Sequence, residues 1–159
     1  MNKYMDHVYV IPEDDANRQI AVGFVDHPGV KDLRIQIMPV AGGWGNVLKA
    51  FKDEYIHRLK ANSKAHVVML IDFDDSFTQR REAFENEIPA EIKSRVFVVG
   101  SRSTPETLRN VLNKNFEKIG ESLADDCDVG TSEYWGHEQL NHNEPDRQRL
   151  DQIVRPFLF

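Results

Sequence analysis

Two hydrophobic patterns alternate along this chain: short continuous apolar runs, and runs in which apolar residues recur every three or four positions. The first run, HVYVIP at 7–12, is β-branched and closes on a proline, which predicts a strand. EDDANRQIAVGF follows it, with Asp14 or Asp15 placed to cap a helix. After the loop-like DHPGVKD at 26–32, LRIQIMPV at 33–40 predicts a second strand leading into AGGWG, whose glycines permit a tight turn. Residues 46–62 bring Val47, Leu48, Phe51, Tyr55, Ile56 and Leu59 to one helical face, with Lys and Glu opposite.

HVVMLIDFDD at 66–75 is nearly continuous in apolar residues from Val67 to Ile71, as expected of a central strand covered on both faces, and then turns abruptly acidic. A polar, helix-prone stretch from Ser76 to Glu87 precedes Pro89, and RVFVVG at 95–100 predicts a fourth strand. Thr104 and Pro105 suit the cap and first position of a helix expected to run on through NKNFEKIGESL. From Ala124 the periodicity dissolves until a short amphipathic segment, RQRLDQIV, and an apolar end, PFLF, expected to dock on the core.

Four strands, each followed by a helical segment, predict an α/β fold: a single Rossmann-like domain with a mainly parallel four-stranded sheet between helices. The core is expected over residues 1–123, with 124–159 a C-terminal extension packed on the same domain; 159 residues suit one core.

Composition narrows the function. With 40% hydrophobic and 29% charged residues the chain falls among globular proteins. No apolar run approaches the roughly 20 residues that span a bilayer, and the N-terminus lacks a basic region followed by an apolar one, so neither membrane insertion nor export is expected. A lone Cys127 suits a reducing compartment, and the expected location is cytoplasmic. The net charge of −6 argues against capture of DNA by a basic surface. Any contact with DNA or RNA is expected to be local, bridged by metal, or assisted by a protein partner or a second copy of the chain.

The chemistry is expected at the strand ends. Glu13 follows the first strand and Asp72, Asp74 and Asp75 follow the third, so a parallel sheet brings them to one edge, where ligand sites of such sheets lie. Alternation along an extended segment predicts that Asp72 and Asp74 point the same way, with Phe73 turned to the packing side. A Glu and an Asp-x-Asp pair suit Mg²⁺ or Mn²⁺, which favour oxygen ligands. Arg80, Arg81 and Arg102 are candidates for binding phosphate, and Asp75 and Glu106 are accessory acids that also suit helix ends. His137 and His142 lack the spacing of a zinc site, AGGWGN lacks the Lys-Ser or Lys-Thr of a phosphate loop, and Trp44 and Trp135 lie outside any basic stretch.

The segments VIPEDDANRQ, MPVAGGWGNVLKAF, VVMLIDFDD and RVFVVGSRSTPETLR resemble the TOPRIM domains of topoisomerases, bacterial primases and the overcoming-lysogenization-defect nucleases, over roughly residues 7–120. The resemblance implies Glu13 as general acid or base, Gly42–Gly43 as the turn after the second strand, and Asp72 with Asp74 as Mg²⁺ ligands. It further implies phosphodiester chemistry, as a nuclease or nuclease subunit in DNA metabolism or defence. The chain departs from the family pattern in having no glycine after Glu13 and Ser76 after Asp75. A receiver-like signalling module is a second reading, with Asp72 or Asp74 as phosphoacceptor and Ser101 beside it, although no lysine follows a fifth strand. A non-catalytic, partner-binding protein is the third.

Overall fold

The β-branched runs form four strands: β1 (His7–Pro12), β2 (Ile35–Ile37), β3 (Ala65–Leu70) and β4 (Val96–Val99). They lie in one all-parallel sheet, ordered β2-β1-β3-β4, in a computed structural model that describes all of residues 1–159. Helices α1 (Asp15–Val25), α2 (Trp44–Ala50), α3 (Ile56–Ala61), α4 (Phe77–Glu85), α5 (Pro105–Leu112), α6 (Phe116–Val129), α7 (Glu144–Ile153) and α8 (Arg155–Leu158) cover it. The chain is therefore a Rossmann-like α/β domain. No helix is long and apolar enough to cross a membrane.

Alternation along the strands divides the core. Tyr9, Ile11, Val67, Met69, Val96 and Val98 face one way and pack on Val47, Phe51, Tyr55, Leu59 and Phe84. A π-helical turn over Phe51–Tyr55 joins α2 to α3, so the amphipathic segment read at 46–62 is one continuous helical stretch. Val8, Val68 and Phe97 face the other way, toward α1, α6 and the C-terminal helices. There α1 and α6 approach so closely that a Cβ on Gly23 would stand 1.9 Å from Glu117 O, and one on Gly120 would stand 1.9 Å from Ile20 O. Both sites demand glycine for space.

Three expectations need correction. The second strand pairs only over Ile35–Ile37, because Asp32–Arg34 coils into a 3₁₀ turn and Pro39 has no N–H to donate; Met38 and Ala41 nevertheless still donate to Val10 O and Pro12 O of β1. The helix expected to run on from Thr104 breaks in two. Asn113 adopts the left-handed region (φ 51°), and Asn115 caps α6 by accepting from Lys118 N at 2.8 Å. Periodicity persists to Val129, so the boundary drawn at 123/124 falls inside α6.

The remaining segment closes an edge of the sheet. The outward N–H of Val98 donates to Asp146 Oδ2 (2.8 Å) and that of Gly100 to Asn143 Oδ1 (3.1 Å). Arg149 donates to Val96 O, while His142 and Asn143 donate to Gly100 O. Side chains thus occupy hydrogen-bonding positions that a fifth strand would take, and β4 is not an open edge. The apolar tail docks as expected: Leu158 and Val154 are buried, and the Lys31 N–H donates to Leu158 O at 2.8 Å.

Candidate functional site

Beyond the carboxyl ends of β1 and β3 the backbone continues in register, with Glu13 N donating to Leu70 O at 2.9 Å. The Glu13 carboxylate then crosses to the neighbouring chain and accepts from Asp72 N through Oε2 at 2.7 Å. Gly42 and Gly43, at φ 86° and 117°, turn both N–H groups onto Glu13 O (2.9 and 3.2 Å), which other residues could do only under strain. The glycine turn thereby anchors the residue that carries the carboxylate.

Asp14 caps α1, accepting from Asn17 N at 2.9 Å. Asn17 is buried, and its Nδ2 donates both to Asp14 Oδ1 (3.0 Å) and to Asp72 Oδ1 (2.8 Å). Glu13 and Asp72 are thus held side by side, 8% and 7% exposed. Neither Glu13 Oε1 nor Asp72 Oδ2 is used in a hydrogen bond to the protein.

Asp74 is placed differently from the expectation. Strand β3 ends at Leu70, and Asp74 and Asp75 both take positive φ (46° and 59°), so the alternation rule does not reach them. Their N–H groups donate to Ser103 O and Arg102 O, which fixes this turn against the loop after β4. Phe73 is fully buried, as expected. Asp74, 51% exposed, pairs with Arg80, whose Nη1 reaches Asp74 Oδ2 at 2.9 Å and Asp72 O at 2.5 Å. The Arg80 guanidinium also lies over the Trp44 ring, 4.8 Å from its centre. Asp75 accepts from Ser103 Oγ at 2.7 Å.

The other basic candidates are engaged elsewhere. Arg81 makes a two-pronged contact with buried Asp146 (2.9 and 3.1 Å), and Arg102 donates to Glu138 O and Asn141 Oδ1 of the C-terminal segment. Glu106 is exposed in the first turn of α5, which Thr104 caps. His142 donates through Nε2 to Gly100 O (2.8 Å) and packs edge-on to Phe73 and Phe77; Trp135 is core. Sequence reading passed over Asn17. Its signal was local, since Asp14 and Asn17 have the spacing of a helix cap and its third residue, and the Asn side chain then points toward the strand ends.

Electrostatics make the carboxylate pair tense. Burial pushes the Asp72 carboxyl up to about 7, against the opposing hydrogen bond from Asn17, and the Glu13, Asp14 and Asp74 charges add to the rise. Burial likewise raises Glu13, against the hydrogen bond from Asp72 N. Two adjacent carboxylates without a full countercharge fit a hard divalent cation, which would relieve both. No three His, Cys, Asp or Glu side chains converge into a ready-made cage. A cation here would complete its shell with water or substrate phosphate, the usual habit of Mg²⁺. No known protein family, curated protein or solved structure matches this chain.

Proposed function

We propose that this chain is a TOPRIM-like, Mg²⁺- or Mn²⁺-dependent phosphoryl-transfer protein that hydrolyses phosphodiester bonds of DNA or RNA, alone or as a nuclease subunit. The observation that supports it is the buried Glu13–Asp72 pair at the carboxyl edge of a parallel sheet, each carboxylate with one oxygen free of protein hydrogen bonds. Asp72 and Glu13 would hold the ion, with Asp74 available once Arg80 leaves it. The ion, when bound, supplies Lewis acidity at a phosphate oxygen. Glu13, raised by burial, takes or returns the proton of the reacting oxygen, with water as nucleophile. Arg80 exchanges Asp74 for phosphate and offsets charge developing there. With a net charge of −6, substrate capture relies on this local site and on a partner or second copy.

The test is a thermal-shift titration with Mg²⁺ and Mn²⁺ of the wild type and the Asp72→Ala/Asp74→Ala variant, beside cleavage assays on single- and double-stranded DNA and RNA. Stabilisation and cleavage that both vanish in the variant support the reading. Absence of both in the wild type overturns it. Phosphorylation of Asp72 by acetyl phosphate would instead favour the receiver-like reading, to which buried Ser101 at the end of β4 lends support.

A further inference from the structure

The chain carries 20 basic side chains against 26 acidic ones, and almost all of the 20 are engaged within the fold. Only Lys3, Lys93, Arg109 and Lys114 make neither a hydrogen bond nor an ion pair through their side chains. Lys3 and Lys93 stand apart, one before β1 and the other before β4. Arg109 and Lys114 instead share an open cleft of about 350 Å³ between the end of α5 and the start of α6. Asn110, Asn113 and Asn115 complete its lining, which contains no acidic and no apolar residue. Each cation rests over an aromatic ring: the guanidinium carbon of Arg109 lies 4.9 Å from the centre of Phe116, and Lys114 Nζ lies 5.3 Å from that of Tyr134. Asn115 caps α6 through Oδ1, on Lys118 N, which leaves its Nδ2 donors unused.

We infer that this cleft holds one backbone phosphate of the nucleic-acid strand that is cut at Glu13 and Asp72, bridged between Arg109 and Lys114; the inference rests on the phosphoryl-transfer reading. Two cations with no carboxylate beside them keep their charge for a ligand, and a group with several acceptor oxygens suits a cleft in which every lining side chain carries N–H donors. Without an apolar wall the cleft offers a base nothing to stack on, so it takes the charged group of the strand and leaves the base outside. Its placement fits the path of a strand. Helix α5 starts after Ser103, whose carbonyl accepts from Asp74 N and whose hydroxyl donates to Asp75, and its eight residues carry the chain about 12 Å to the cleft. At roughly 3.4 Å per phosphate along a stacked strand, that separation amounts to about three or four nucleotides. A strand of two nucleotides does not reach from one to the other.

The experiment is fluorescence anisotropy of labelled DNA and RNA strands of two and twelve nucleotides, the longer ones also as duplexes, at low salt with Ca²⁺ in place of Mg²⁺ so that the strand stays uncut. The full chain is compared with Arg109→Gln/Lys114→Gln and with Lys3→Gln/Lys93→Gln, which loses the same charge elsewhere. The first variant should weaken the twelve-nucleotide ligand by about tenfold, flatten its salt dependence by about 0.7–0.9 in log affinity against log salt, and leave the dinucleotide unmoved. The second should leave both ligands within about twofold of wild type. Circular dichroism verifies folding, and Lys114→Gln alone carries the same prediction, at about threefold, should the double variant not fold. Equal losses in the two double variants would reduce the effect to net charge and overturn the inference, as would a twelve-nucleotide ligand bound alike by wild type and Arg109→Gln/Lys114→Gln; either result leaves the phosphoryl-transfer reading standing. A wild type that binds none of these ligands overturns that reading and the inference with it.

Discussion

Asn17 Nδ2 lies 2.8 Å from Asp72 Oδ1 and 3.0 Å from Asp14 Oδ1, so one amide joins the cap of the first helix to the acidic end of the third strand. It occupies one oxygen of Asp72 and leaves the other toward the site. The amide therefore positions the carboxylate rather than reacting itself. Asn17→Ala should weaken Mg²⁺ binding roughly tenfold or more, as loss of an orienting partner does. It should also cost about 1–3 kcal/mol, since a buried hydrogen-bonded amide is removed. Calorimetric metal titration and urea unfolding measure the two effects. Unchanged affinity with lowered stability would reduce Asn17 to a structural cap.

Asp72 should make the metal-free protein less stable as pH rises. Its carboxyl sits at about 7 in the fold against an ordinary 3.8, chiefly through burial, so the fold holds a proton that the unfolded chain releases. That contribution is complete below about pH 4 and is lost as pH rises toward 7. Asp72→Asn, which cannot ionise, should raise the unfolding temperature at pH 8, by on the order of 2–4 kcal/mol in stability, and give no gain at pH 4. Added Mg²⁺ should then stabilise the wild type and leave the variant unmoved. A variant no more stable than wild type at pH 8 would show that Asp72 carries no such tension.

His142 works in the opposite direction. Burial pushes it down to about 4 from 6.5, so it stays neutral in the fold while the unfolded chain takes up a proton. Stability present above pH 6.5 is lost as pH falls toward 4. His142→Gln keeps a donor for Gly100 O and has no titration. The wild type should lose more stability than this variant between pH 6.5 and 4, followed by thermal unfolding of both. Because Asp72 opposes it over the same range, the informative quantity is the difference between the two proteins, and parallel curves would dismiss His142.

Local pattern made the strands, the glycine turn and the Glu13–Asp72 juxtaposition legible, because a parallel sheet brings its carboxyl ends together whatever their separation in sequence. Asp74 escaped that reasoning: its direction depends on where pairing stops, and pairing stops at Leu70. The Asn113 break was written locally, in a residue that tolerates positive φ, but the apolar spacing on either side concealed it. Nothing in the local pattern sets Asp146 or Arg147 apart, yet both are buried, one against the edge of β4 and the other beside Trp135. Such roles depend on tertiary neighbours, which periodicity does not encode. Gly100 is similar: a Cβ there would meet Ile71 O at 1.6 Å, a constraint invisible before β3 and β4 are placed side by side.

Asp146 supplies the most demanding stability test. Only 1% exposed, it accepts from Val98 N (2.8 Å), from both terminal nitrogens of Arg81 and from Arg149 Nη1 (3.0 Å). Asp146→Ala would leave a buried strand N–H and a largely buried guanidinium without their shared acceptor, a loss of about 3–5 kcal/mol. Asp146→Asn retains an acceptor oxygen for Val98 and should lose less. Because this carboxylate also seals the edge of β4, the alanine variant should self-associate more strongly than the wild type, through the newly unpaired strand. Urea unfolding ranks the three proteins, and sedimentation velocity at several concentrations reads the association. An alanine variant as stable as wild type, with unchanged sedimentation, would mean that α7 seals the edge by packing alone and that the hydrogen bonds of Asp146 add nothing to it.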